Sequence, residues 1–377
     1  MIKKQEKILV AMSGGVDSSV AAALLIEAGY DVTGMFAVNY EDKEQGIKNK
    51  EKIYSCWLPD YQDALRVAAK IGIPLIRLDF VKEYKKFVLD YMYKEYSTGR
   101  TPNPDVMCNK FVKFGFWLKA AEKLGFDKIA TGHYATVRRN KEKGIRNNEN
   151  VKKLLLTPYS LLLSKDTNKD QTYFLHQLNQ KQLGKVLFPI GDYTKDEVRK
   201  LAKKFNLPTA NKEESMGICF VGEVNMKDFL KGKVKAKAGV IVDVNGTIVG
   251  KHTGLPFYTI GERGLGLSGS GRPYFVIGKN IKKNQLVVGF DDDPALFKKE
   301  VTVKNVNWIG QTPKFPLKCQ VRMRHRQELQ NCVVKKIRSK EQGIINVVFT
   351  KPQRAVTPGQ FAVFYLKGEC LGGGVVK

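Results

Sequence analysis

The sequence predicts an α/β doubly wound parallel sheet followed by two small mainly β units, the last a β-barrel. Three observations carry this. Over the first half, apolar runs of strand length alternate with helical segments, the rhythm of a parallel sheet covered on both faces. From Gly239 onward, short alternating segments separated by Gly, Asn and Asp replace that rhythm. The stretch Asp291-Asp292-Asp293-Pro294 then divides the β region in two. The expected domains are residues 1–212, 213–292 and 293–377.

In chain order, Ile8 to Ala11 reads as a buried strand. The stretch Ala11-Met12-Ser13-Gly14-Gly15-Val16-Asp17-Ser18 leads into an alanine- and leucine-rich helix, Val20 to Ala28, stopped at Gly29. Two adjacent glycines let the backbone approach a bulky anion. The N–H groups at the helix start, with the hydroxyls of Ser13, Ser18 and Ser19, suit phosphate oxygens. The loop contains no lysine, so it is not a Walker A loop.

Asp31 to Tyr40 is the second expected strand and Glu41 to Lys52 a polar surface loop. Asp60 to Ile71 reads as a helix, Pro74 to Phe80 as a strand and Lys82 to Tyr96 as an aromatic helix. Thr98 to Pro104 is a proline-broken loop. A long helix follows from Val106 to Leu124, with Met107, Phe111, Phe114, Leu118 and Ala121 at three- and four-residue spacing. Lys128 to Thr131 is a strand ending in Gly132-His133-Tyr134. Asn140 to Lys152 reads as a loop or hairpin, and Tyr173 to Leu187 and Lys195 to Phe205 as helices. The β region is read as strands at 240–244, 257–260, 274–277, 285–289, 301–308, 319–323, 332–337, 344–349 and 361–365. Gly264-Leu265-Gly266-Leu267-Ser268-Gly269 matches a dinucleotide fingerprint but opens no helix, so it fails that motif's own context.

A formal net charge of +27 favours a polyanionic partner, most simply nucleic acid. No apolar stretch is long enough to span a bilayer, and Met1 to Lys7 leads straight into a strand. The expectation is a cytoplasmic protein with no membrane partner. None of the six cysteines forms a Cys-x-x-Cys pair, so no structural zinc site is expected. Cys56, Cys319, Cys332 and Cys370 sit in apolar or strand contexts and read as structural.

Two stretches point to chemistry. Asp105 is placed to cap the long helix, and Cys108 then falls in its first turn, where the dipole favours a thiolate. A capping Asp with a packed Cys is the plain alternative. Cys219 lies in Ser215-Met216-Gly217-Ile218-Cys219-Phe220-Val221-Gly222, a glycine-flanked join between the α/β and β parts. Further on, alternation from Cys319 to Arg326 puts Arg322, Arg324 and Arg326 on one strand face.

Ser13-Gly14-Gly15-Val16-Asp17-Ser18-Ser19 resembles the PP-loop of the ATP pyrophosphatases, which cleave ATP between the α- and β-phosphates. Five further stretches extend the likeness: 99–109 from Gly99-Arg100-Thr101-Pro102 to Cys108-Asn109, 130–134, 169–175, 217–222 and Thr357-Pro358-Gly359-Gln360. Together they make the chain similar, nearly end to end, to the bacterial tRNA-specific 2-thiouridylases. That resemblance implies a PP-loop ATPase domain with a tRNA-contacting helical part, a central β-rich domain and a tRNA-binding barrel. It implies that Ala11, Met12, Ser13, Gly14, Gly15, Val16, Asp17, Ser18, Ala37 and Gly132 hold ATP, and that Asn103, Pro104 and Asp105 meet the target base. Asp105, Cys108 and Cys219 would be catalytic. His133, Lys169, Asp170, Gln171, Arg324, His325 and Gln360 would touch tRNA.

The implied reaction adenylates the C2 carbonyl of the wobble uridine with ATP. Sulfur from a cysteine persulfide then gives 2-thiouridine, AMP and pyrophosphate. Mg²⁺ is expected with ATP, without a dedicated protein metal site. Implied partners are tRNAs for Lys, Glu and Gln, and a sulfur donor, either a cysteine desulfurase or a relay protein. The family usually reads Gly-Gln-Arg-Lys-Gly where this chain has Gly261-Glu262-Arg263-Gly264. Two other readings compete: a PP-loop enzyme adenylating a small molecule, and a non-catalytic RNA-binding scaffold. Neither accounts for the charge, the ATP loop and the paired cysteines together.

Overall fold

The computed structural model describes residues 5–41, 56–140, 158–214, 217, 219–221, 225–267, 271–337 and 343–377, with 47–49 and 52–54 as backbone only. Five parallel strands form the first sheet, in the order Leu75–Asp79, Asp31–Val38, Lys7–Ala11, Lys128–Ala130 and Val186–Leu187. Lys7–Ala11 is central because it is apolar on both sides. Ile8 and Val10 enter one core and Leu9 the other, all fully buried. The strand order reverses between Lys7–Ala11 and Lys128–Ala130. The loops leaving these two strands therefore open a crevice at the carboxyl edge, where such sheets bind ligands.

The helix predicted from Val106 is a continuous rod of three segments, Pro104–Met107, Cys108–Trp117 and Leu118–Lys123. Its ten-residue middle is π-helical rather than α-helical, a departure from the expected spacing. Aromatic packing shows the changed register. Phe111 and Phe116, five apart, both pack on Phe87, at 5.1 and 5.3 Å between ring centroids.

Other expectations need correction. Tyr173 to Leu187 is not one helix. It divides into Thr172–Leu175, Gln180–Leu183 and the edge strand Val186–Leu187. Asn179 forces the break, because its side chain caps the second segment in a reciprocal box with Gln182. The strand at Cys319 runs Leu317–Arg322 and ends before Arg324. The expected strand at 257–260 begins instead in a 3-10 turn, Leu255–Phe257. A hairpin, Thr136–Arg139 with Tyr159–Leu162, flanks the Asn140 stretch; residues 141–152 of that predicted loop lie outside the described residues.

The central unit is a four-stranded sheet in the order Ile248–His252, Gly239–Val242, Gln285–Gly289, Phe275–Asn280. It closes over Ile241, Leu255, Val276, Leu286 and Val288. The last unit is the predicted barrel. Six strands run Phe297–Trp308, Ile345–Arg354, Gln330–Lys336, Leu317–Arg322, Phe361–Leu366 and Glu369–Val376, and the last pairs back onto the first. The Tyr159–Leu162 hairpin joins this sheet through Leu162 opposite Glu369. One apolar core is continuous across the join, packing Leu9, Val106 and Cys108 with Phe361, Val363 and Tyr365.

Candidate active site

The glycine turn after the Lys7–Ala11 strand is built for close approach. Gly14 has φ +74°, and a Cβ there would sit 2.3 Å from the carbonyl oxygen of Asp60. The Ser18 hydroxyl donates to the Gly15 carbonyl at 3.1 Å and accepts the Ser13 N–H at 3.2 Å, which folds the loop onto the helix Val16–Glu27. On the other side of the crevice, a Cβ at Gly132 would come within 2.7 Å of the Ser18 nitrogen. Glycine at 132 is thus what lets the two loops meet. Ala37 sits near the carboxyl end of the neighbouring strand Asp31–Val38.

Asp17 lies in the first helical turn, and its carboxylate accepts from Lys195 Nζ at 2.7 Å and from the Tyr134 hydroxyl at 3.0 Å. Lys195 also reaches Glu214 at 3.3 Å. Sequence reasoning missed Lys195 and Tyr134. A signal existed for the lysine, which opens the helix Lys195–Lys204, the end where the dipole disfavours a cation.

The second part of the site joins two distant stretches. Asn103, not Asp105, caps the Cys108 helix, because its Oδ1 accepts the Val106 N–H and Pro104 takes the first helical position. Asp105 is released for another contact. Its carboxylate accepts the Cys219 N–H at 3.1 Å, and the Tyr84 hydroxyl donates to the Cys219 carbonyl at 2.6 Å. Phe220, next in the chain, has φ +68°, an outlying conformation for a bulky residue. Tyr84 and Trp117 pack edge-on against its ring at 5.9 and 5.7 Å.

Held this way, Cys219 packs against the core that contains Cys108. Both are free thiols, Cys108 fully buried and Cys219 half-buried. Burial pushes Cys108 well above the ordinary thiol range. Proximity to Cys108, aided by Lys113 and opposed by burial, holds Cys219 below it. Of the two thiols Cys219 is therefore the easier to ionise, whereas the helix start alone favours Cys108. Burial also raises Asp105 above the usual carboxylate range, against the pull of the Cys219 N–H and Lys113.

The loop before Asp105 is clamped by both downstream units. Gln360 Nε2 donates to the carbonyls of Thr101 and Pro102, each at 3.0 Å, and the Thr101 N–H donates to Pro358 at 3.0 Å. From the central unit, Lys279 Nζ donates to Gly99 O at 2.9 Å, and burial pulls that lysine down to about 8. The Thr259 and Thr101 hydroxyls meet at 3.3 Å. Glu262, which replaces the family's usual Gln, accepts the Thr259 N–H at 2.7 Å and so fixes this turn.

Three family models match this architecture. "tRNA methyl transferase HUP domain" covers residues 6–223, "tRNA methyl transferase PRC-barrel domain" 227–290 and "Aminomethyltransferase beta-barrel domain" 298–376. Among curated relatives, the tRNA-specific 2-thiouridylase MnmA of Geobacillus thermodenitrificans is 45% identical over 99% of this chain and 95% of its own. Those of Bacillus pumilus and Mycoplasma mycoides are 46% and 44% identical, over 100% and 99% of this chain and 96% and 98% of theirs. The chain belongs to the tRNA-specific 2-thiouridylase family.

For a 2-thiouridylase-family chain, the residues expected at RNA divide by burial. Arg324 is exposed in the turn after the Leu317–Arg322 strand. Lys169 is half-buried and paired with Glu214 at 2.5 Å. His325 is half-buried against Phe174, with Nε2 3.1 Å from the Asp170 carbonyl. Asp170 and His133 are 2% and 7% exposed, which leaves little of either for direct contact. Asp170 instead holds Arg322 at 2.6 Å, so that arginine points inward and does not share an exposed face with Arg324 and Arg326. His133 binds the Thr131 hydroxyl at 2.7 Å between Phe114 and Phe188, and burial keeps it neutral. Gln171 accepts the Tyr134 N–H at 2.9 Å. These side chains brace the surface from beneath. Lys231, Lys233, Lys235 and Lys237 are all exposed, in turn and coil rather than a strand. Cys56, read as structural, is exposed, whereas Cys319, Cys332 and Cys370 are buried.

Proposed function

We propose that the chain is an ATP-dependent tRNA 2-thiouridylase acting on the wobble uridine. The observation that carries this reading is the pair Cys108 and Cys219, brought from distant stretches into one core and tied by Asp105 to the loop that would receive the base. Family membership and the glycine loop supply the nucleotide half of the reaction. The loop 11–18 with Ala37 and Gly132 binds ATP. The uracil C2 oxygen attacks the α-phosphorus and pyrophosphate leaves, so a poor leaving group becomes AMP. Mg²⁺ comes with the nucleotide phosphates. Among the described residues, no three His, Cys, Asp or Glu side chains gather to hold it.

Sulfur arrives as a persulfide on Cys219, loaded by a cysteine desulfurase or a relay protein. The outer persulfide sulfur bonds to C2 and AMP departs with the oxygen. The Cys108 thiol then attacks the Cys219 sulfur and breaks the S–S bond, its proton passing to the departing sulfur or to bulk water, and leaves 2-thiouridine with a Cys108–Cys219 disulfide. If Cys108 attacks first, hydrosulfide is released to C2 and the same disulfide remains. Either way two electrons must return from an external thiol before the next cycle. Asp105, raised above the usual carboxylate range by burial, serves proton transfer at the base. The substrates are tRNAs for Lys, Glu and Gln, and the setting is the cytoplasm. Among the described residues no helix is long and apolar enough to cross a membrane.

The deciding experiment measures AMP and pyrophosphate release from labelled ATP with and without unmodified tRNA. Release that requires tRNA supports this reading. Release without it would indicate a small-molecule adenylating enzyme, and none at all a scaffold.

The exposed cation at 324 gives a second expected outcome. Arg324→Ala should weaken tRNA binding and flatten its dependence on log salt by about 1, the signature of one lost phosphate contact. An unchanged slope would place this turn away from the RNA.

A further inference from the structure

We propose that Lys113 is a catalytic residue of the sulfur-transfer site, its ammonium set beside Cys219 to balance the negative charge that the sulfur carries through loading and transfer. The inference rests on the reading that Cys219 carries the sulfur.

The argument begins with the helix. Cys108 and Lys113 are five positions apart. In an α-helix such positions diverge by roughly 140° around the axis. The π-helical run Cys108–Trp117 bonds i to i+5, which returns them to roughly one face. Phe111 and Phe116 confirm that register by meeting the same ring. The wide turn therefore directs Lys113 toward the pocket that Cys108 lines, where regular helical spacing would turn it aside.

Two contacts place the ammonium there. Lys113 Nζ faces the Cys219 sulfur, whose charge is the largest one acting on it. It also lies 5.4 Å from the centre of the Phe220 ring, the residue whose positive φ sets the Cys219 turn. Among the described residues, the ionisable groups facing Cys219 are Cys108, Asp105, Tyr84 and Lys113. Lys113 is the one cation among these four. His133 stands behind it, neutral, and Tyr40 stands behind Tyr84. Burial pulls Lys113 down, but the charges of Cys219, Cys108 and Asp105 outweigh it and the group is raised. An ammonium in such surroundings needs a counter-charge. Cys219 supplies it, and the pairing keeps the sulfur nucleophilic while its neighbour Cys108 stays a thiol.

The test uses the full chain alone. Cys219 alkylation by iodoacetamide is followed by peptide mass spectrometry across pH, in wild type, Lys113→Met and Lys113→Arg. In wild type the reaction should begin below the ordinary thiol range. Lys113→Met should move the profile up and slow alkylation at pH 7 about tenfold, one pH unit. Lys113→Arg should restore most of the rate. Two results overturn the proposal: a Lys113→Met profile that overlays wild type, or a folded Lys113→Arg chain that behaves like Met. Should Lys113→Met fail to fold, Lys113→Gln replaces it under the same criteria. No tRNA, ATP or sulfur donor is present, so the charge pairing and the thiouridylase reading fail separately.

Discussion

Cys219→Ser is expected to abolish sulfur uptake, while Cys108→Ser should still take sulfur up and fail to pass it on. The two thiols differ in access. Cys108 is 0% exposed, whereas Cys219 is half-buried and can be reached by a donor protein. They differ in ease of ionisation as well, Cys219 being held below the ordinary thiol range and Cys108 well above it. A serine hydroxyl cannot carry a persulfide, so labelled sulfur should not attach to the Cys219→Ser chain at all. In Cys108→Ser the label should attach and remain, because no second thiol can break the S–S bond. Thiolation should fall by about 10⁴-fold or more in both, the scale on which single nucleophiles are lost. Both variants should still release pyrophosphate on tRNA, since neither thiol belongs to the nucleotide loop. In the wild type, one turnover without reductant should leave a Cys108–Cys219 disulfide in non-reducing peptide maps. Full thiolation by Cys219→Ser would reduce that cysteine to a packing residue.

Gly14→Val should remove the nucleotide step instead. Two penalties coincide at this position. A β-branched residue at φ +74° is strained by roughly 1–3 kcal/mol. Its Cβ would also meet the Asp60 carbonyl oxygen at 2.3 Å, which is backbone and cannot swing away. The loop must shift by the order of an ångström, and misplacement on that scale costs about 100-fold in rate. Pyrophosphate release should therefore drop by at least that factor. Binding of tRNA, measured by gel shift, should be retained, because its cations lie elsewhere on the chain. A folded Gly14→Val protein with normal pyrophosphate release would show that the nucleotide phosphates bind outside this turn.

Much of this was legible in the sequence. The apolar run Ile8–Ala11, the glycines after it and the helix beyond required only local rules; strand and glycines stand where predicted, and the helix starts at Val16 rather than Val20. The barrel strands were visible from period-two alternation. What failed was what depends on distant partners. Arg322 alternates correctly with Arg324, yet it turns inward because Asp170, far away in the sequence, waits there. Asp105 has the composition of a cap, but Asn103 and Pro104 take that work and leave its carboxylate for Cys219. The π-helical register is set by aromatic packing across helices, and spacing within one segment cannot reveal it. Lys113 was overlooked for that reason, although a lysine among Phe111, Val112, Phe114 and Phe116 is itself a signal. Tyr173 to Leu187 was apolar enough for a helix, and a single Asn at 179 restarted the chain.

The contacts of Gln360 with Thr101 and Pro102 have a consequence for how the protein comes into being. On the ribosome the glycine loop and Cys108 emerge well before Gln360, the glutamine that braces the loop at Thr101 and Pro102. The strand Phe361–Leu366, whose Phe361, Val363 and Tyr365 share the core around Cys108, follows it directly. A nascent chain therefore carries the glycine loop long before the loop at Thr101 and Pro102 is braced. Fragments from interrupted translation lack both the brace and part of the core around the thiols. The loop at Thr101 and Pro102 and the core around Cys108 are therefore completed only after the barrel strand has been made.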